Sequence, residues 1–74
     1  MEHNPYRELA NAIVVQAAKD YKKAVKRRRK YPKDKDAQRE IRDLRRFFHS
    51  GWYSMLTEVD GDRLIKDLER SVDA

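Results

Sequence analysis

A chain of 74 residues with no cysteine, two histidines and 42% charged residues describes one small domain, close to the lower size limit for a self-sufficient core. That composition excludes a disulfide scaffold, a thiol nucleophile and a thiolate metal site, and two histidines do not support a zinc-built core. The net charge of +5 is unevenly spread: residues 19–46 hold 14 of the 18 Lys and Arg against 5 of the 13 acids, and both flanks are mildly acidic.

A basic middle between acidic ends favours polyanionic partners and names no reaction. The N-terminal residues lack a charged-then-apolar leader, and no apolar run approaches the roughly 18 residues of a membrane span. The expected setting is therefore cytoplasmic, with no membrane contact and no cofactor. The apolar residues are strongly periodic, which argues against disorder despite the charge.

Asn4-Pro5 reads as an N-cap followed by proline at the first helical position. From there Tyr6, Leu9, Ala10, Ile13, Val14, Ala17, Tyr21, Ala24 and Val25 recur at helical spacing, which predicts a helix over 5–31 ended by Pro32. A second helix is predicted over 35–49, starting near Asp34 or Asp36, with Ala37, Ile41, Leu44 and Phe48 on its inner face. The connection between them is short, so the two should form an antiparallel hairpin. Ser50-Gly51 breaks the chain, a short turn follows over 52–56, and a last helix is predicted over 61–72 with Leu64, Ile65, Leu68 and Val72 buried. Asp60 is favoured over Thr57 as its cap, with Val59 and Leu64 placed as a hydrophobic staple.

The fold class expected is thus all-α, a small helical bundle over 1–74. The first helix is as long as the other two main helices combined. Its C-terminal half should pair with the second helix and its N-terminal half with the last. Phe47, Phe48, Trp52, Tyr53, Met55 and Leu56 fall at the corner between them and are expected to plug the junction, so Trp52 and Phe48 are both read as core.

The candidate binding residues are basic. Lys19, Lys22, Lys23, Lys26 and Lys30 cluster on the side of the first helix away from its apolar stripe, with Arg27 at their edge. Arg39, Arg42 and Arg46 form a matching stripe on the second helix, Lys33 sits in the turn, and Tyr31 at the tip is placed to stack on a base. Such a hairpin could track a phosphate backbone. The plainer reading is a solvated, soluble face, diluted by Asp20, Asp36, Glu40 and Asp43, with Arg39 and Asp43 paired at i,i+4. No helix-turn-helix, zinc-finger or RNA-recognition signature is present.

Arg28 falls inside the apolar stripe. Either its guanidinium snorkels into water or it makes a buried pair with Asp34 or Asp36. Val15 and Ala12 lie on the polar side, as isolated exposed residues or as a contact for self-association together with Phe47, so a monomer or a weak homodimer is expected. His3 and His49 carry the only imidazoles. His49 suits the negative end of a helix, and its adjacent Ser50 cannot form a base-to-nucleophile geometry with it. Glu58, Asp60 and Asp62 around Gly61 lack the regular ligand positions of a calcium loop and read as caps. No catalytic constellation emerges, and an enzyme is not expected.

Two segments carry a resemblance. Residues 11–21 and 46–65, above all Phe47-Phe48, Trp52-Tyr53, Leu56-Thr57 and Val59-Asp60-Gly61, resemble small uncharacterised proteins of prophages and integrative elements of Gram-positive bacteria. The resemblance implies a bacterial accessory gene and brings no activity or site residues. The expected function is a non-enzymatic accessory protein that contacts nucleic acid through the basic hairpin. The alternative is a protein-interaction module, a regulator or inhibitor of a host factor, docking on an acidic surface.

Overall fold

The computed structural model describes residues 4–73, which form four helices: α1 (Pro5–Lys30), α2 (Lys35–Phe48), α3 (Gly51–Leu56) and α4 (Gly61–Asp73). His3 lies outside the described residues. The all-α bundle expected from the periodicity is the fold, and the helix ends fall within a residue of their predicted positions.

Local chemistry sets those ends. Asn4 Oδ1 accepts from the N–H groups of Tyr6 (3.0 Å) and Arg7 (3.3 Å), leaving Pro5 at the position where a missing N–H costs nothing. At the other end the Tyr31 N–H donates to the Arg27 carbonyl at 2.8 Å, and Arg27 to Lys30 place four cations against the negative pole of α1. Asp34 performs two tasks in the turn. Its Oδ1 accepts from the N–H groups of Asp36 and Ala37 (3.0 and 3.1 Å), capping α2, and its Oδ2 accepts from Arg27 Nε at 2.6 Å. One carboxylate therefore starts α2 and ties it back to α1. Ser50 caps α3 by accepting from the Tyr53 N–H at 3.1 Å.

The core lies between α1, α2 and α4. Ala17, Tyr21, Ala24 and Val25 of α1 meet Ile41 and Phe48 of α2, Tyr53 of α3 and Ile65 of α4. Tyr21 and Phe48 pack edge to face at 5.8 Å, and Phe47, Phe48 and Tyr53 form a triangle with centroids 5.6–5.7 Å apart.

Several expectations are corrected. The last helix does not cover the N-terminal half of α1: α4 runs alongside its middle and C-terminal part, where the Tyr21 hydroxyl meets Glu69 and Arg29 meets Asp73. The reason is the entry to α4, since Gly61 abuts the Phe48 carbonyl and so starts the helix beside Phe48, whose ring packs on Tyr21 of α1. The first turns of α1 consequently keep Tyr6 (84%) and Leu9 (62%) exposed. Of the aromatic corner only Phe48 and Tyr53 are buried; Trp52 and Met55 are 56% and 80% exposed. Val59 is half exposed, and its N–H donates to Thr57 Oγ1 at 3.2 Å. Asp60 does precede α4, its carbonyl accepting from the Leu64 N–H at 3.0 Å.

Candidate nucleic-acid interface

On α1 the residues Ala17, Tyr21, Ala24 and Val25 point into the core, and at about 100° per residue the opposite face belongs to lysine. Lys19, Lys23, Lys26 and Lys30 are exposed and Lys22 is half-buried beside them. Among the described residues none of these five ammonium groups pairs with a carboxylate. Lys30 Nζ lies 5.6 Å from the centre of the Tyr31 ring, which is itself 56% exposed at the hairpin tip. Lys33 is exposed in the turn beyond it.

The arginine stripe of α2 is a separate surface. Arg39 and Arg46 lie opposite Ala37, Ile41 and Phe48, which face the same core as the buried side of α1, while Arg42 lies on the flank of α2, bordering a depression with Ile41 and Arg28. The two basic stripes therefore look away from one another across the bundle, and the hairpin does not present them on one face. The α2 stripe is also partly committed: Arg39 Nη1 lies 4.0 Å from Asp36, in place of the Asp43 pairing expected from spacing, and Arg42 Nε lies 3.7 Å from Asp43. Arg27 is spent on Asp34. The Ala37 N–H, followed by the Arg27 guanidinium, holds the Asp34 carboxyl below its ordinary range.

Arg28 is exposed, as snorkelling requires, and Asp34 is taken by its neighbour Arg27. Its place is nevertheless informative. Arg28 borders a trough of about 400 Å³ between α1 and α2, past the C-terminal part of α4, and a second depression of about 270 Å³ beside it. Val25, Ile41 and Pro32 supply the apolar lining; Arg28, Arg29, Arg42 and Arg45 supply the cations. Arg28 and Arg45 are absent from the residues chosen on sequence grounds. The signal available was the cation at a core-facing position of α1, which spacing alone could not distinguish from a helix outrunning its partners.

Glu69 of α4 also lines this trough. Arg45 donates to it from Nη2 at 2.7 Å and to the Tyr21 oxygen from Nε at 3.0 Å. The Tyr21 hydroxyl and the Arg45 guanidinium hold Glu69 below the ordinary carboxylate range. Burial, reinforced by Glu69, pushes the Tyr21 hydroxyl up.

His49 and Asp62 pair across two helices. The His49 ring contacts the Asp62 carboxylate and holds it below its usual range, linking the end of α2 to the first turn of α4. Among the described residues no three His, Cys, Asp or Glu side chains are grouped to hold a metal ion, and no helix is long and apolar enough to cross a membrane. Comparison of the chain with protein-family models, curated proteins and solved structures gives no match.

Proposed function

We propose that this chain is a non-enzymatic binding protein that takes nucleic acid on the outer face of α1, with Lys19, Lys22, Lys23, Lys26 and Lys30 as phosphate contacts. The observation that carries the reading is that all five ammonium groups sit on one helix face without a carboxylate partner among the described residues. At ~1.5 Å per residue the stripe is ~16 Å long, about the axial length over which one strand presents five phosphates. The sequence resemblance supports an accessory role in a mobile element.

Arg39, Arg42 and Arg46 drop out of the primary contact surface, because they lie on another side of the bundle. Titrating labelled DNA and RNA oligonucleotides with the protein at low and moderate salt tests the proposal directly. Binding that collapses with salt supports phosphate recognition. If no oligonucleotide binds, while a protein partner co-purifies from nuclease-treated lysate, the face serves an acidic protein surface instead.

A further inference from the structure

Arg28 of α1 and Arg42 of α2 both border the smaller depression of about 270 Å³ beside the trough, and both are exposed. Arg29 is engaged by Asp73 and Arg45 by Glu69. Arg28 meets no carboxylate among the described residues, and Arg42 has only its sequence neighbour Asp43, at 3.7 Å, beyond hydrogen-bond distance. Two exposed guanidiniums flanking Ile41, neither hydrogen-bonded to a carboxylate among the described residues, fit a ligand that alternates anionic groups with flat or apolar bodies. Arginine is the side chain best shaped for phosphate, and its plane also stacks on bases.

The trough and the lysine stripe lie on different sides of α1. The basic path from one to the other goes around the hairpin tip: Lys30, the exposed Tyr31 ring, Pro32 on the trough wall, and Lys33. A duplex laid along the lysine stripe is far too stiff to turn that corner, since double-stranded DNA bends smoothly only over ~150 base pairs. A single strand turns it freely, and Tyr31 at the bend offers a face on which a base stacks.

Resting on the nucleic-acid reading above, we infer that the ligand is single-stranded, running along the lysines of α1, around Tyr31, and along the trough into the depression beside it, where Arg28 and Arg42 hold its phosphates. The lysine stripe alone is open to either form of nucleic acid. The trough is the part that discriminates.

The test is fluorescence anisotropy with a labelled 15-nucleotide single strand and the matching 15-base-pair duplex, using the wild-type chain and the Arg28→Gln/Arg42→Gln double variant. Both positions are exposed, and a thermal melt checks that the variant remains folded. The wild type is expected to hold the single strand at least about tenfold more tightly than the duplex, and the double variant to lose at least about tenfold on the single strand while its duplex affinity stays within about twofold. Equal affinity for both forms, or a single-strand affinity untouched by the double variant, overturns the inference and leaves lysine-stripe binding standing. Failure of both probes to bind overturns the nucleic-acid reading as well.

Discussion

The Tyr21 hydroxyl donates to Glu69 Oε1 at 2.7 Å, tying the centre of α1 to α4, and Arg45 of α2 donates to both partners. Three helices thus meet at one phenol whose ring is fully buried. Tyr21→Phe keeps the ring and the Arg45–Glu69 pair, and should lower stability by about 1–2 kcal/mol, because it removes a hydrogen bond to a charged acceptor. Tyr21→Ala removes the ring too, at a cost of about 3–5 kcal/mol, a large part of what a domain this small possesses. Urea unfolding of the two variants checks the order.

Stability should fall on acidification, with Glu69 among the causes. Its folded pKa is lowered from the ordinary value of 4.5, first by the Tyr21 hydroxyl and then by Arg45. Asp34 and Asp62 are likewise lowered from 3.8. Over that range the unfolded chain binds more protons than the folded one, so stability rises with pH. The Glu69 contribution is complete above about pH 4.5 and is lost as pH falls through the depressed folded value. Thermal melts from pH 7 down to pH 3 should show this loss, and Glu69→Gln should make the profile shallower.

The two glycines should respond oppositely to alanine. A Cβ on Gly61 would sit 2.1 Å from the Phe48 carbonyl oxygen, a backbone atom that cannot step aside alone. Gly61→Ala must push α4 away from α2 and is expected to cost about 1–3 kcal/mol. A Cβ on Gly51 meets nothing within 4 Å among the described residues, and Gly51→Ala at the start of α3 should stabilise by about 0.4–1 kcal/mol. Melting temperatures of the pair measure how far the placement of α4 depends on that close approach.

Among the aromatic residues, Phe48 and Trp52 separate cleanly. Phe48→Ala empties a site that is 2% exposed and should cost about 3–5 kcal/mol, whereas Trp52→Ala, at 56% exposed, should cost under about 1 kcal/mol. Tyr53 is buried, and its hydroxyl has no hydrogen-bond partner among the described residues. Tyr53→Phe should therefore be neutral or stabilise by up to about 1 kcal/mol. Denaturation midpoints of the three variants distinguish core from surface at this corner.

The helices were legible in the sequence because the signals at their ends are local: Asn4, Asp34 and Ser50 each satisfy N–H groups two or three residues away, and Asn4-Pro5 announces its cap outright, while spacing left Asp34 and Asp36 both open at the start of α2. The inner face of α2 was legible for the same reason, since one stripe of Ala37, Ile41 and Phe48 has a single solution. The docking of α4 was not. Apolar spacing along α1 marks a stripe from Tyr6 to Val25 without saying which part is covered, and the decision falls to the approach of Gly61 to a backbone carbonyl. Trp52 was misplaced because bulk alone does not set the direction of a side chain in a one-and-a-half-turn helix. The lysines of α1 were legible as a stripe. Their separation from the arginines of α2, and the trough containing Arg28 and Arg45, follow only from how the two helices face one core.

The lysine stripe is tested most directly by the salt dependence of binding to a labelled oligonucleotide, compared between wild type and a Lys22→Glu/Lys26→Glu/Lys30→Glu variant. Five phosphate contacts imply an affinity falling by roughly 100- to 500-fold between about 50 and 200 mM salt, and the variant should not bind measurably at the lower salt while keeping its fold. Binding that is insensitive to salt, or that survives the three reversals, would contradict a working lysine face on α1.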